Sequence, residues 1–351
     1  MIRKIIFLSL AVFSIFAFSA CEEEIDEQAA DELIRLQAYM RVNYPNYNLT
    51  SSGLYWDIIE EGTGETPKQG DYLLFNFTGY SLDNDAFETS SKSIAQLHDV
   101  YSSATHYVPK FAMYKSTTSR MLKGLDEGFS MIKAGTKARF IMPSSLAYGA
   151  SVYNNLPSYS SVIFDIDFQR IITDPDAYEA EVITEYLAAN YPDLNPSEVI
   201  AFMNGDGEGV YILEEALDEV EDDTEEGEEG DDDEEVDHHL EIIDKDVVTL
   251  YYAGRFLDNW LFDTNMKEVA EANGTFSSSK TYEALKVTVG GTGYIAGFSI
   301  ALKRLKTNST SKVLIMSGSA YGENGSGSTI QPYTPLVFDL KVLTKTASSS
   351  K

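Results

Sequence analysis

Few residues in this chain could do covalent or metal-based chemistry, and their spacing argues against most of it. Cys21 is the one cysteine, so neither an intrachain disulfide nor a cysteine-rich zinc site can form. There are four histidines, His98, His106, His238 and His239, and no serine–histidine–acid pattern accompanies them. His238 and His239 could bind a metal, but a lone pair at a loop end reads as incidental. Asp231, Asp232 and Asp233, with neighbouring glutamates, could attract calcium. The run lacks the spaced ligands and fixed glycine of a calcium loop, so it reads as solvated acidic chain. Gly290-Gly291-Thr292-Gly293 lacks the lysine and helix context of a phosphate loop and reads as a turn. No metal or cofactor is expected.

The elements that must position any site are duplicated. The chain has 351 residues, enough for about two domains. Asn43-Tyr44-Pro45 recurs as Asn190-Tyr191-Pro192, and Gly53-Leu54-Tyr55 as Gly209-Val210-Tyr211. Gly79, Leu82, Asp83, Asn84, Phe87 and Thr89 recur, at one fixed offset, as Gly254, Leu257, Asp258, Asn259, Phe262 and Thr264; Asp71 and Asp246 share that offset. Ala147-Tyr148-Gly149 returns as Ala320-Tyr321-Gly322, and Phe164-Asp165 as Phe338-Asp339. The order is the same in both halves, the mark of a diverged tandem repeat. Each half opens with a helical pattern that ends before Pro45 or Pro192. Strands are predicted at Tyr72 to Phe77, Lys137 to Met142 and Val162 to Ile171, and at Val247 to Tyr252, Lys312 to Met316 and Leu336 to Leu343. Between them the clearest helical stretches are Gly124 to Ala134 and Gly297 to Leu305. Adjoining strands with few helices favour an antiparallel sheet carrying a packed helix.

Charge sets the boundary conditions. Acidic residues number 56 against 26 basic, a net charge of −30. Such a chain repels a phosphate backbone, which excludes nucleic acid as a partner. Fifteen of the twenty residues from Asp218 to Asp237 are acidic. This run is a loop insertion between two strands of the second half, and its composition predicts disorder.

The first residues read as an address. Arg3 and Lys4 precede an apolar run from Ile5 to Phe18, then Ser19, Ala20 and Cys21. The run is too short for a spanning helix, which needs about 20 residues, and has the layout of a secretory signal. It resembles the lipobox of bacterial lipoproteins, with Phe18 where leucine is usual. The resemblance implies that Cys21 is lipidated and tethers the protein to a membrane. Glu22, Glu23, Glu24 and Asp26 then resemble the surface-export signal of Bacteroidetes lipoproteins, though a solvated tether reads the same residues equally well. The expected location is the outer membrane, facing the periplasm or the surface.

The ordered landmarks resemble the FKBP-type peptidyl-prolyl isomerase family, twice, over about Gly53 to Ile172 and Gly209 to Leu343. The family has an aromatic-x-Gly strand, a Phe-Asp loop, an aliphatic-x-Gly-aromatic helix start, an Ala-Tyr-Gly turn and a Phe-bearing last strand. The implied fold is α+β: two tandem FKBP-like domains, each a curved antiparallel sheet wrapped around a short helix. The boundaries read as signal peptide 1–20, lipidated N-terminus, tether and helix 21–50, first domain 51–173, helical linker 174–208 and second domain 209–345, with the disordered acidic loop at 218–237.

In the second domain Tyr252, Phe262, Asp263, Ile295, Phe298, Tyr321, Ile330 and Phe338 fall on the family's pocket positions, with Tyr294 beside them. In the first, Phe77, Phe87, Glu88, Leu122, Leu125, Tyr148, Leu156 and Phe164 do so. The pocket floor, tryptophan in the family, is Leu125 in one and Phe298 in the other. The first domain also lacks the strand tyrosine and the loop aspartate. The second lacks the proline that stands at Pro143 in the first, having Met316 instead. In each domain the stretch after the Phe-acidic pair, up to Tyr107 and Tyr282, reads as a helical insertion over the pocket rim.

The resemblance implies isomerisation of proline-containing client proteins or peptides, mainly by the second domain. An X–Pro bond turns over a barrier of about 18–20 kcal/mol, and no bond is made or broken. A dry aromatic pocket favours the twisted amide, whose carbonyl carries less charge than the planar form. Tyr321 and Tyr148 are placed to hydrogen-bond the peptide carbonyl. The rival expectation is a non-catalytic peptide-binding, scaffold or chaperone lipoprotein that keeps the fold.

Overall fold

The computed structural model describes residues 27–347 apart from 116–120, 204, 206 and 220–237. The signal sequence, Cys21 with the acidic residues behind it, and almost all of the acidic run lie outside the described residues.

The first half builds one antiparallel sheet. Its elements are α1 (Glu27–Asn43), β1 (Asn48–Leu49), β2 (Tyr55–Glu60), β3 (Tyr72–Ser81), β4 (Ala86–Thr89), α2 (Lys92–Leu97), β5 (Lys110–Met113), α3 (Lys123–Phe129), β6 (Lys137–Met142) and β7 (Val162–Ile172). Strand order is β1-β2-β6-β7-β3-β4, with β5 also on β3. The aromatic and β-branched runs at β3, β6 and β7 form the long central strands, as such side chains fill a pleated, half-buried surface. Their inward faces close over α3. Leu125, Phe129, Phe140, Phe164 and Phe168 are all buried in one cluster, each aromatic contributing about 1.5–3 kcal/mol by leaving water.

The second half repeats the plan with α4 (Pro175–Asn190), α5 (Pro196–Met203), β8 (Val210–Leu217), β9 (Val247–Arg255), β10 (Leu261–Thr264), α6 (Lys267–Ala272), β11 (Leu285–Thr288), α7 (Ala296–Leu302), β12 (Ser309–Ile315) and β13 (Leu336–Thr346). Strand order is β10-β9-β13-β12-β8, with β11 on β9. The antiparallel, helix-bearing architecture expected from the sequence is the one observed. The edges differ. In the first sheet β1 pairs with β2 through Asn48 and Leu49, whereas β8 pairs only with β12 and is left as an edge. Asp218, just past β8, donates its N–H to the Asn308 carbonyl, and the same asparagine's amide donates to the His238 carbonyl. The acidic insertion therefore leaves and rejoins the sheet at one place.

Two expectations need correction. The helices predicted over 124–134 and 297–305 are single pieces of seven residues. In the first domain the apolar residues Met131 and Ile132 continue as a turn, because Gly135 at φ 87° reverses the chain into β6. The insertions after Phe87 and Phe262 are helical only over α2 and α6, six residues each. In the first domain the irregular strap that follows, up to Pro109, reaches beyond its own rim before β5 rejoins β3.

That strap lies on the second domain. His106 stacks against Phe256 at 4.6 Å and Trp260 at 4.9 Å between ring centroids, and its Nε2 lies 2.7 Å from the Asp258 carboxylate. A few residues on, the Gln331 side chain accepts from the Phe111 N–H at 2.7 Å and donates to the Pro109 carbonyl at 3.0 Å. Tyr333 meets Tyr72 edge-on at 5.5 Å. The segment 174–208 holds α4 and α5. Asp174 caps α4 by accepting from the Ala177 N–H, with Pro175 at the first helical position. Helix α4 buries Ile183 and Leu187 against Leu314 and Val337 of the second sheet, just as α1 buries Leu36 and Met40 against Ile141 and Ile163 of the first.

Candidate functional site

In the second domain, strand β9, the start of β10, helix α7 and the last strand converge on a cavity of about 570 Å³. Close approach begins at Gly254 on β9. A Cβ there would lie 2.5 Å from Phe262 and 2.8 Å from Phe338, so only glycine lets the two rings lie across the strand. Phe338 then sits edge-to-face with Phe262 at 5.7 Å and with Phe298 at 4.8 Å. Tyr252 closes the box, edge-on to Phe298 at 6.1 Å. These are the separations at which aromatic rings attract beyond their buried area.

Polar groups stand at the rim. The Tyr252 hydroxyl donates to Asp263 at 2.6 Å, and Lys280 pairs with the other oxygen of that carboxylate. Burial and the Asp263 charge both push the Tyr252 phenol well above its ordinary range. Tyr321, which is 37% exposed, also lines the cavity, and among the described residues its hydroxyl has no hydrogen-bond partner. Burial, then the Asp263 charge, raise its pKa too, so it is a neutral donor at physiological pH.

Of the eight residues singled out here, Tyr252, Phe262, Asp263, Ile295, Phe298, Tyr321 and Phe338 line the cavity. Ile330 does not; it is 7% exposed and packs in the core behind it. Leu285, Thr292, Gly293, Ala296 and Ala320 line the cavity without having been picked out. Thr292 and Gly293 belong to the glycine-rich turn that leads into α7, which was read only as a turn.

The first domain assembles the same parts under a different rim, and Phe87 and Leu156 line a cavity of about 530 Å³. Gly79 again makes room, since a Cβ would lie 2.6 Å from Phe87. Phe87 meets Phe164 edge-on at 5.8 Å, and Phe77 tilts against Phe164 at 6.3 Å. Leu125 and Leu156 are buried, and Leu122 is half-buried at the head of α3. Tyr153, which the sequence reading passed over, stacks on Tyr148 at 4.0 Å. Both hydroxyls donate to Glu88, at 3.3 Å from Tyr148 and 3.0 Å from Tyr153. Burial and the Glu88 charge push Tyr153 up to about 12 and Tyr148 higher still. Tyr148 thus has its donor committed within the protein.

Among the described residues no group of three or more His, Cys, Asp or Glu could hold a metal ion. The His238 backbone carbonyl accepts from the Thr307 hydroxyl and the Asn308 side-chain amide, and His239 Nδ1 lies 3.2 Å from the Thr307 carbonyl. No described helix is long and apolar enough to cross a membrane.

Two curved antiparallel sheets, each folded over a short helix and carrying an aromatic cluster, define a pair of small α+β domains. The FKBP-type peptidyl-prolyl cis-trans isomerase family matches residues 63–169 and again 241–343, more than half of the chain, and this protein belongs to that family. FkpA of Escherichia coli K12 is 25% identical over 171 residues, 48% of this chain and 57% of its own length. FkpA of Aeromonas hydrophila is 26% identical over 148 residues, 42% of this chain and 49% of its own. The bovine isomerase FKBP10 is 22% identical over 278 residues, 79% of this chain and 34% of its own. The chain thus spans about half the length of the FkpA proteins it matches. The crystal structure of E. coli FkpA covers 42% of this chain and 62% of its own at 24% identity and a TM-score of 0.33. The three FKBP domains of wheat FKBP73 cover 85% of this chain and 96% of their own at 13% identity and a TM-score of 0.27.

Proposed function

We propose that the protein is a peptidyl-prolyl cis–trans isomerase that acts on proline-containing client proteins of the bacterial envelope, mainly through its second domain. The observation that carries this reading is the open aromatic cavity bounded by Tyr252, Phe298 and Phe338, with an unpartnered tyrosine hydroxyl at its rim. A prolyl ring entering this box is desolvated on several faces at once. The twisted amide has lost resonance and its oxygen carries less charge, so a dry wall of rings costs it less than it costs the planar form. Tyr321 donates to the client's carbonyl and fixes its direction. Asp263 takes the Tyr252 hydroxyl and so holds that ring in place as a wall. No proton need move and no bond is broken.

Anchoring through a lipid on Cys21, in the outer membrane and facing the periplasm or the surface, is the location proposed with this activity. Its support is the sequence of the first 26 residues. The first domain is read as a non-catalytic partner, on the observation that Tyr148 is stacked on Tyr153 with its hydroxyl on Glu88 and that its strap grips the second domain.

A proline-limited refolding assay tests the activity. The chain from Glu22 onward should accelerate the slow phase, and Tyr321→Ala and Phe338→Ala versions shown by circular dichroism to be folded should lose at least tenfold of that acceleration. A folded wild-type chain that leaves the slow phase at its uncatalysed rate would sink the enzyme reading.

A further inference from the structure

A carboxylate is buried beneath each Ala-Tyr-Gly turn, and it comes from the helix that precedes the domain. On α4, Glu179 is 2% exposed. One of its oxygens accepts from the Ser317 backbone N–H at 2.5 Å and the other from the Ser317 hydroxyl at 2.6 Å. Ser317 begins the single helical turn, Ser317–Ser319, that delivers Tyr321 to the pocket rim. In the first domain Glu32 of α1, 3% exposed, does the same: it accepts from the Ser144 N–H and hydroxyl, and from Ser161. Glu32 stands as far before Asn43 as Glu179 stands before Asn190. Both glutamates lie outside the two regions that match the family.

Burying a carboxylate is unfavourable, and a well-packed apolar side chain in its place is often as stable or more so. Stability alone therefore does not explain why the same residue sits in the same place in both diverged halves. What the carboxylate does, and a leucine cannot, is take both donors of one serine at once and so fix the direction in which the turn starts. Burial pushes the Glu179 carboxyl above its ordinary range, against the two serine hydrogen bonds that pull it down.

We propose that Glu179 is a positioning residue for Tyr321, acting through Ser317, so that helix α4 is part of the machinery of the second-domain pocket and not only a connection between domains. The proposal rests on the reading of that pocket as the isomerase site.

The test uses the full chain from Glu22 with 3-fluorotyrosine incorporated, and compares Glu179→Ala, Glu179→Gln, Ser317→Ala and Glu32→Ala. Three signals are read: amide hydrogen exchange at Ser317 to Tyr321, the fluorine resonance of Tyr321, and the isomerisation rate. Glu179→Ala should speed exchange in that turn at least tenfold, shift or broaden the Tyr321 resonance, and cut kcat/KM at least fivefold. Glu179→Gln keeps an acceptor for the Ser317 N–H and a donor for its hydroxyl, so it should restore all three signals. Ser317→Ala, which removes one of the two bonds and little volume, should fall between them and serves if Glu179→Ala does not fold. Glu32→Ala should speed exchange at Ser144 and leave the rate alone. Unchanged exchange and fluorine signals in Glu179→Ala and Ser317→Ala would overturn the proposal, as would faster exchange with an unchanged rate. An inactive wild-type chain would defeat the functional reading only; the exchange and fluorine signals would still decide whether Glu179 holds the turn.

Discussion

In the second domain the tyrosine of the Ala-Tyr-Gly turn stands at the rim of an open cavity, and among the described residues its hydroxyl has no partner. In the first, the matching Tyr148 lies against Tyr153 with its hydroxyl on Glu88. Three small differences account for this. Strand β3 has Phe77 where β9 has Tyr252, so the acidic residue beside it has no phenol to hold. That residue is Glu88, one methylene longer than Asp263, and it reaches the loop tyrosines instead. The loop itself carries Tyr153 where the second domain carries Ser326, each the first partner of an isolated bridge, to Leu156 and to Ile330. The aromatic box survives in both. What separates the two rims is an added ring and the acid that anchors it.

The comparison can be pressed hardest at the shared core. Phe164→Ala and Phe338→Ala should each lower unfolding free energy by about 3–5 kcal/mol, read from denaturant melts, and only the second should lower the isomerisation rate. Equal losses of rate would erase the distinction between the domains.

Next in size is an asymmetry under acid. Asp71 and Asp246 occupy matching turns and accept from the N–H three residues before, at 2.7 and 3.0 Å. Only Asp246 is buried and paired, with Lys345 at 2.9 Å. The Ile243 N–H holds its carboxyl below the ordinary value of 3.8, and Lys345 adds to this against the effect of burial. A depressed carboxylate stabilises the fold above its unfolded value and loses that contribution as pH falls through the folded one. Asp246→Asn should therefore cost about 2 kcal/mol at pH 7, with the gap to wild type closing below about pH 4. Asp71→Asn should cost less than half as much. Thermal melts across pH 3–7 decide it; a gap that does not narrow in acid would remove the Lys345 pairing from the account.

A reciprocal swap comes third. Ser326→Tyr should bring a ring over Tyr321 and lower the isomerisation rate about tenfold, some 1.4 kcal/mol, with little change in melting temperature, because Ser326 is a half-buried loop residue outside the core. Tyr153→Ser should open the first pocket and expose Tyr148, seen as a fall in its phenol pKa on ultraviolet titration. If Ser326→Tyr binds and turns over peptide as before, the ring at Tyr153 is not what closes the first domain. The smallest effect is expected from replacing residues 220–237 with a short glycine–serine linker. Both ends of the insertion are tied at Asn308, so unfolding free energy should change by no more than about 0.5 kcal/mol.

Much of the frame was legible because it depends on local pattern. The doubled landmarks placed the long strands and the pocket positions, and seven of the eight second-domain residues meet at the cavity. Ile330 is buried in the core, as Leu156 is in the first domain, so a match by motif order does not by itself bring its side chain to the cavity lining. Tyr153 was legible in principle: aligning the halves on Ala-Tyr-Gly sets it against Ser326. Whether that ring enters the pocket depends on the length of Glu88, a matter of reach that no periodicity encodes. The two buried glutamates and the strap from His106 to Gln331 were invisible for the same reason. Each is a polar contact between segments far apart in sequence, and a lone charged residue on a helix reads as a solvated face until its partner is known.

Among the described residues, strand β8 has hydrogen-bonding groups facing β12 on one side and no strand on the other. A bare edge is a template for the same edge on another copy, the first step of strand-by-strand aggregation. The first domain covers the matching edge with β1. The second continues instead into a segment in which fifteen of twenty residues are acidic. Two copies approaching edge to edge would each bring that charge to one seam, where strands must come within about 4.8 Å of each other. At physiological salt charges are felt over about 8 Å, so the repulsion reaches beyond the distance at which pairing begins. Charge at that seam is expected to oppose edge-to-edge pairing, and the opposition should weaken as salt rises, which light scattering across a salt series would read.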